Sequence, residues 1–192
     1  MLLQLTALTL LIAFYGCYYG KMLLQRRQGI QTDQIGKGKT GRTLRIERMM
    51  KIATIAVTVG EIVSIVLNIT TLPSWLRWAG IIIAALGTGV FITSVITMRD
   101  SWRAGVSETD KTDLVTAGIY RISRNPAFLG FDLTYLGLLL TFFSWWLAAL
   151  SAFAAVMFHL QITLVEEPFL RTAFGDDYRC YDHSVRRYFG RR

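Results

Sequence analysis

Five long apolar segments alternate with polar segments along this chain of 192 residues. Each is long enough to cross a hydrocarbon layer of about 30 Å as a helix. In lipid the backbone N–H and C=O groups must bond within the segment, which leaves helices as the solution. The pattern therefore predicts an all-α polytopic membrane helical bundle with about five transmembrane helices, at residues 2–20, 52–72, 78–98, 127–143 and 145–165.

The last two apolar segments predict a helical hairpin. Between residues 125 and 165 there is no Lys or Arg, and Asp132 is the one acid. At about 1.5 Å per residue, these roughly 40 residues cross a layer of about 30 Å twice. Arg124 before the hairpin and the pair Glu166-Glu167 after it should therefore meet at one surface, where a site can be assembled.

Charge indicates how the chain lies in the membrane. Charged residues make up 18% of the chain, against about a quarter in soluble domains. Of 21 Lys and Arg, 20 fall in the segments 21–51, 99–124 and 171–192. Placing these on one side predicts an N-terminus outside and a C-terminus in the cytoplasm. Anionic lipid headgroups are their expected partners, and nucleic acid is not.

Residues 1–20 predict a retained first span and not a signal peptide. No Lys or Arg opens the segment, and no small-x-small cleavage site precedes Lys21. We expect a single membrane domain over residues 1–192, in which 1–98 form three spans. Residues 99–192 then form a cofactor-binding loop, the hairpin and a C-terminal helix.

Cysteine and histidine usage gives no sign of a metal or a disulfide framework. Cys17 and Cys180 form no C-x-x-C motif. His159 and His183 lie far apart from each other in the sequence. We predict no metal site.

The polar segments predict two loops, the first of which ends in the beginning of a helix. Residues 25–51 contain several Gly, Lys and Arg and predict a flexible cytoplasmic linker, whose last part, 42–51, begins an amphipathic helix. Residues 99–125 form the long loop between spans three and four, with a turn at 109–113.

Proline and small residues predict helix ends and helix contacts. Pro126 suits the first turn of span four, and Pro168 should end or kink span five. An amphipathic helix follows, interrupted near Gly175, which lies on the bilayer or folds back over the hairpin mouth. Small residues in span three predict close helix packing, at Gly80, Ala85, Gly87 and Gly89.

Two motifs flank the hairpin. The first is Leu114-Val115-x-x-Gly118-Ile119-Tyr120-x-x-x-Arg124-Asn125-Pro126-x-Phe128-x-Gly130. The second is Glu166-Glu167-x-x-Leu170-x-x-x-Phe174-Gly175-x-x-Tyr178-x-x-Tyr181, followed by Val185-x-Arg187-Tyr188. They resemble the paired motifs of integral-membrane methyltransferases, among them isoprenylcysteine carboxyl methyltransferases and phospholipid N-methyltransferases. The resemblance covers residues 98–189.

This resemblance implies S-adenosylmethionine as the cofactor, with S-adenosylhomocysteine as its product. It implies that the cofactor is bound by Leu114, Val115, Gly118, Ile119, Tyr120, Arg124, Asn125, Pro126, Phe128, Gly130, Glu166 and Glu167. Arg187 then becomes a candidate for orienting an acidic acceptor, and Glu167 a candidate for catalysis as well. The alternative for the acidic pair is that it neutralises nearby arginines at a span end.

The chain departs from the family pattern at two positions. The usual Arg-His-Pro-x-Tyr is here Arg124-Asn125-Pro126-x-Phe128. Asn can donate and accept hydrogen bonds but does not titrate, so Asn125 cannot shuttle a proton. Phe128 keeps the aromatic face and loses the hydroxyl.

Three carboxyl or imidazole side chains lie inside the predicted spans, where ionisable groups are costly and suggest function. Asp132 is a catalytic candidate that faces an acceptor channel, or else it is protonated or paired with another helix. Glu61 is expected to hydrogen-bond between helices, with substrate contact as the alternative. His159 is expected to be a satisfied packing residue.

The chemistry of the cofactor fits these residue types. S-adenosylmethionine carries a sulfonium, an ammonium, a carboxylate, ribose hydroxyls and an adenine, which carboxylates, a guanidinium and aromatic faces can complement. Methyl transfer depends largely on positioning and on removing water from the nucleophile. The expected partner is a lipophilic or amphiphilic acceptor with a carboxylate, amine or thiol, arriving from the bilayer.

Two other classes of function remain open at this point. An NADPH-dependent membrane reductase of the steroid or sterol type has a similar helical hairpin, but its Cys-x-Lys-Tyr-Gly-x-x-Trp pattern is absent. A non-enzymatic scaffold or small transporter would bind no cofactor. Five spans without repeat symmetry argue against a transporter.

Overall fold

The computed structural model describes residues 1–106 and 112–191 and confirms the all-α membrane bundle. Its main helices are α1 (Leu2–Arg27), α2 (Gly41–Val66), α3 (Ser74–Met98), α4 (Pro126–Thr141), α5 (Trp145–Gln161) and α6 (Glu167–Ser184). Short 3-10 helices lie at Arg99–Ser101 and Gly118–Arg121, and a π-helix lies at Ile162–Glu166. In the described ranges the only β-type pairings are two isolated bridges. The predicted turn at 109–113 falls mostly outside these ranges.

Among the described residues, four helical stretches are long and apolar enough to cross a membrane, by length and composition. They are Leu2–Arg27, Gly41–Val66, Ser74–Ser101 and Trp145–Ser184. Helix α4 is a shorter apolar helix of 16 residues, about 24 Å long at the usual rise per residue.

The predicted hairpin is confirmed by a contact between its two ends. Nη1 of Arg124, which precedes α4, lies 3.2 Å from Oε1 of Glu167, which opens α6. Both ends of the α4–α5 hairpin therefore lie at the same end of the bundle. We call this the polar end, and it also carries the segments 28–40, 99–106, 112–125 and 185–191.

Helices α3 and α4 touch backbone to backbone. A Cβ built on Gly137 would lie 2.3 Å from the backbone nitrogen of Ala84 and 2.5 Å from the carbonyl oxygen of Gly80. One built on Gly87 would lie 2.5 Å from the backbone nitrogen of Thr134. Since no side chain fits between the two helices at these points, α4 is held closely against α3.

This contact confirms the small-residue prediction for two positions and corrects it for two others. Gly80 and Gly87 lie in the interface, as expected. Ala85 and Gly89 are exposed, and a Cβ on Gly89 would meet nothing within 4 Å. A helix has several faces with small residues, and the sequence alone does not say which of them meets a neighbour.

Pro126 and Pro168 both lie in the first turn of a helix. Pro126 occupies the first turn of α4, as predicted. Pro168 lies in the first turn of α6, and the irregularity expected there is instead the π-helix in the five residues before it. The expected interruption at Gly175 is confirmed by its φ of 51° and ψ of −121°.

Residues 28–40 do not form the flexible linker that their composition suggested. The backbone N–H of Gln34 donates to the carbonyl of Ala104 at 2.8 Å, and that of Ala104 donates to Thr32 at 3.0 Å. The buried carboxylate of Glu47, near the start of α2, accepts hydrogen bonds from Gly36 and Lys39. The segment is thus tied to the 99–106 loop and to α2, and it covers part of the polar end.

Candidate active site at the polar end

A cavity of about 320 Å³ opens at the polar end and extends into the bundle. Charged side chains line its outer part: Asp33, Lys51, Arg103, Asp113, Arg124 and Glu166. Aromatic side chains line its inner part: Tyr15, Tyr18, Phe91, Phe128, Phe131 and Phe158. The cavity is therefore amphipathic, with ionic groups at one end and ring faces at the other.

Arg124 lies at the centre of an ion-pair network beside this cavity. Its Nη2 lies 2.8 Å from Oδ1 of Asp182, and its Nη1 donates to the hydroxyl of Tyr178 at 2.9 Å, in addition to the contact with Glu167. The side chains of Arg124 and Glu167 are each 3% exposed. A buried guanidinium needs such partners, because an unpaired charge there would be costly.

One nitrogen of Arg124 has no protein partner. Its Nε is buried and makes no hydrogen bond within the described residues, while the residue lines the cavity. A buried N–H that the protein leaves unpaired is unusual and calls for an explanation. A bound carboxylate would satisfy it.

Glu167 is held by a second arginine as well. Nε of Arg187 donates to its Oε1 at 2.7 Å, and Nη2 donates to its Oε2 at 2.9 Å. This bidentate arrangement is the strong form of an Arg–carboxylate pair. The hydrogen bond to Glu167 raises the pKa of Arg187, although burial acts in the opposite direction.

The residues after α6 return to the first motif. Asn125 donates through Nδ2 to the carbonyl of Arg187 at 3.1 Å, and the N–H of Arg124 donates to the carbonyl of Arg186 at 3.2 Å. The N–H of Gly190 donates to the carbonyl of Ile122 at 2.7 Å. Residues 185–191, which we call the tail strap, thus hold the backbone of the motif in place.

The tail strap also reaches the outer face of the hairpin. The hydroxyl of Tyr188 lies 2.6 Å from Nδ1 of His159, and their rings stack with centroids 6.1 Å apart. His159 is therefore an exposed anchor for the strap, whereas the sequence suggested a packing residue. Burial and, after it, the nearby Asp132 carboxylate raise the pKa of Tyr188.

Three buried tyrosines, Tyr120, Tyr178 and Tyr181, pack together beside the first motif. The hydroxyl of Tyr181 donates to the carbonyl of Tyr120 at 2.6 Å, and Tyr120, Tyr178 and Tyr181 are all buried and line the cavity. Burial raises the pKa of Tyr178, against the opposing effect of Arg124. The Tyr178 hydroxyl therefore remains protonated, and since it accepts from Arg124 its own proton is free to be donated.

The structure brings most of the predicted cofactor residues to one cavity. Those that line it are Leu114, Val115, Tyr120, Arg124, Asn125, Phe128 and Glu166. The two halves of this set, separated by 40 residues, meet because the hairpin returns the chain to the polar end.

The other predicted cofactor residues lie behind the wall of the cavity. Gly118 has a φ of 59° and faces Thr97, and Ile119 packs against the buried tyrosines. Pro126 starts α4, and Gly130 abuts Phe91 and Gly87 of α3. Glu167 holds its two arginines. From these positions the residues can support the cavity wall without lining the cavity themselves.

The predicted catalytic residues are divided between two places. Arg187 and Glu167 bind each other beside the cavity, and neither is among its lining residues. Asp132 is not among its lining residues either, and one of its carboxylate oxygens is buried without a hydrogen-bond partner in the described residues. Their part in catalysis stays a prediction.

Glu61 does not make the interhelical contact that was expected of it. Its side chain is buried, yet neither carboxylate oxygen has a hydrogen-bond partner in the described part of the chain. It does not line the cavity. The interhelical hydrogen bond that the sequence suggested is therefore not made.

Several site residues were not anticipated from the sequence. Asp182 contacts Arg124, and its position four residues after Tyr178 on the same helix face was an available signal. Tyr15, Tyr18 and Met22 line the cavity from α1, and their spacing of three and four residues was the helical signal for it. Asp33 and Lys51 carried no local signal: Asp33 reaches the cavity through the fold of segment 28–40, and Lys51 lies on α2 and pairs with Asp33.

Comparison with known proteins agrees with this arrangement. A family model described as phospholipid methyltransferase matches residues 75–177, from the start of α3 into α6. No curated protein matches the chain.

Proposed function

This chain belongs to the phospholipid methyltransferase family, and we propose that it transfers a methyl group from S-adenosylmethionine to an amphiphilic acceptor at the polar end. Membership of the family makes it a membrane methyltransferase. The identity of the methyl donor, the kind of acceptor and the orientation in the membrane are the parts that we propose.

The place of Arg124 in the cavity wall, together with an Nε that has no hydrogen-bond partner among the described residues, is the observation that carries the donor assignment. S-adenosylmethionine has a carboxylate that this N–H can bind, and Arg124 is held rigid by Glu167, Asp182 and Tyr178. A donor that is already oriented loses little entropy when it binds an anion. When bound, the cofactor supplies an electrophilic methyl group on a sulfonium.

The remaining groups of the cofactor also find partners in the outer part of the cavity. Glu166 and Asp113 line it and can accept hydrogen bonds from the ammonium and from the ribose hydroxyls. The faces of Phe128 and Tyr120 line it too and favour a sulfonium through cation–π attraction. The set of donors and acceptors therefore fits S-adenosylmethionine.

The inner part of the cavity suits the acceptor. Its aromatic walls exclude water, which removes the hydration shell of an attacking nucleophile. The protein holds the acceptor in line with the methyl group, and positioning of this kind accounts for much of the rate enhancement in such displacements. The attacking atom is a carboxylate oxygen, an amine nitrogen or a thiol sulfur.

The polar end faces the cytoplasm in this proposal. In the sequence, segments 21–51, 99–124 and 171–192 carry 20 of the 21 Lys and Arg; their described parts lie at or near the polar end, and positively charged loops favour the cytoplasmic side. The supply of S-adenosylmethionine would then reach the outer part of the cavity directly from solution.

Isothermal titration of the detergent-purified protein with S-adenosylhomocysteine tests the proposal. We expect binding that Glu166→Gln weakens, because Glu166 lines the cavity. The matched control is Asp176→Asn, which changes an exposed carboxylate of α6 that pairs only with Arg179. A parallel titration with NADPH should show no binding. Binding of NADPH without S-adenosylhomocysteine would overturn the proposal.

A further inference from the structure

A second cavity, of about 630 Å³, lies beside the first at the polar end. Residues between 19 and 26 of α1 line one side of it, and residues between 29 and 37 line the other. We call it the α1 cavity. It shares Tyr19, Met22 and Asp33 with the cavity described above and is therefore adjacent to it, whereas Arg124 and Glu166 line only that first cavity.

Two cations in the lining of the α1 cavity have no acidic partner. Arg26 and Lys37 are exposed, and neither makes an ion pair with a residue that the structure describes. Three neighbouring lysines outside this lining are each paired: Lys21 with Asp100, Lys39 with Glu47 and Lys51 with Asp33. The one acid among the described lining residues, Asp33, is thus neutralised by Lys51 at 3.3 Å. The cavity therefore presents two free positive charges to a ligand.

Segment 28–40 holds Lys37 in an ordered loop. The hydroxyl of Thr32 donates to Oε1 of the buried Gln25 at 2.7 Å, and the N–H of Ile30 donates to the carbonyl of Gln25 at 2.9 Å. The N–H of Lys37 donates to the carbonyl of Gln34 at 3.2 Å. A site whose backbone is already ordered loses little entropy when an anion binds to it.

One exposed apolar face of α1 leads to Arg26. It carries Ile12, Gly16, Tyr19 and Leu23, which follow one another at intervals of three or four residues. Ile12, Tyr19 and Leu23 are each more than half exposed, and a Cβ on Gly16 would meet nothing within 4 Å. Because α1 is long and apolar enough to cross a membrane, this face lies against lipid. From Gly16 to Arg26 the helix rises about 15 Å, half of a hydrocarbon layer of about 30 Å.

We propose that the α1 cavity binds the head group of an anionic phospholipid, with the phosphate between Arg26 and Lys37 and an acyl chain along Tyr19 and Leu23. The proposal is independent of the methyl-transfer assignment, since it uses none of the residues of the proposed cofactor pocket. Basic loops attract anionic membranes in general. Here, in addition, two unpaired cations and an apolar helix face meet at one cavity, which gives the lipid a defined place.

The charges of the lining select among head groups. Phosphatidylglycerol carries a net negative charge, which the two cations complement. Phosphatidylcholine adds a quaternary ammonium, and the acid that would pair with it, Asp33, is already bound to Lys51. Inorganic phosphate would bind the cations but leave the apolar lining at Leu23 and Ile30 unfilled. The lining therefore fits an anionic lipid better than either of these.

Photocrosslinking of the full chain in vesicles tests the position of the lipid. Leu23 and Leu24 are both 59% exposed, but only Leu23 lines the α1 cavity. A benzophenone amino acid replaces one or the other in vesicles of equal parts dioleoylphosphatidylglycerol and dioleoylphosphatidylcholine. Adducts at position 23 should favour phosphatidylglycerol by about fivefold or more, the effect of one basic residue near an anionic surface. Adducts at position 24 should follow the bulk ratio. The same ratio at both positions would overturn the proposal.

A charge-matched pair of variants tests the two cations. The double variant Arg26→Gln, Lys37→Gln should remove the preference at position 23. The control, Arg27→Gln with Arg42→Gln, removes two exposed cations outside the lining and should keep it. Equal loss in both variants would show a general attraction of anionic lipid to basic loops and would overturn the site. Millimolar inorganic phosphate should leave the preference unchanged, and competition by it would overturn the assignment to a lipid.

Discussion

Arg187 grips both carboxylate oxygens of Glu167, at 2.7 and 2.9 Å, from a position 20 residues further along the chain. The same carboxylate lies 3.2 Å from Arg124. The junction of the π-helix with α6, the first motif and the tail strap therefore share one buried acid. A substitution that removes the Glu167 carboxylate should therefore loosen all three of these segments.

Arg187→Ala should lower the free energy of unfolding by about 1–3 kcal/mol, because it leaves a buried carboxylate with one partner fewer. Arg187→Lys should recover only part of the lost stability, since an ammonium cannot form the bidentate contact with the carboxylate. Denaturant titration in mixed micelles measures both. Arg179→Ala, which removes an exposed ion pair with Asp176, is the control and should change little. Equal effects of Arg187→Ala and Arg179→Ala would contradict this account.

Asn125→His should retain binding of S-adenosylhomocysteine, and Asn125→Asp should lose most of it. The Asn125 side chain donates a hydrogen bond to the carbonyl of Arg187. A neutral imidazole can supply an N–H there, whereas a carboxylate has none and repels the carbonyl. Calorimetry on the two variants measures the difference. If Asp proves as good as His, the donor role of this residue is wrong.

Tyr188→Phe should release the tail strap while leaving the bundle folded. The substitution keeps the ring stacked on His159 and removes the hydrogen bond, which is worth about 1 kcal/mol. Hydrogen exchange of residues 185–191 should become faster, with α3 and α4 unchanged. His159→Leu should have a similar effect, and the double variant should add little to it, since both remove one interaction. Additive effects would show that the two residues act independently.

Gly137→Ala should destabilise the protein by about 1–3 kcal/mol or more, because the new methyl group meets the backbone of α3. Gly89→Ala is the matched control. It adds the same methyl group on an exposed helix face with nothing within 4 Å, and should be neutral or stabilise the helix by up to about 1 kcal/mol. Thermal unfolding in detergent compares the two. A stable Gly137→Ala variant would contradict the backbone contact between α3 and α4.

The features that could be predicted from the sequence are those that depend on a local pattern of residue types. Apolar length located the spans, and the lack of charge between 125 and 165 predicted the hairpin that joins Arg124 to Glu167. The paired motifs named part of the cavity lining, including Arg124, Asn125 and Glu166. In each case the signal lies in a continuous stretch of chain.

What could not be predicted depends on pairings between distant segments. Nothing in residues 28–40 shows that they bond to Ala104, and a run rich in Gly and Lys is typical of a linker. Likewise, the partner of Asn125 is a carbonyl 62 residues away. Backbone groups are the same in every residue, so the sequence does not show which of them will meet.

The glycine contact between α3 and α4 decides which parts of this molecule are free to move. Helices that touch at their backbones cannot slide or rotate without collision. Helices α3 and α4 therefore form a rigid pair to which the proposed cofactor pocket is attached. Any movement that admits an acceptor would then involve the other helices, α1, α2, α5 and α6, shifting relative to this fixed pair.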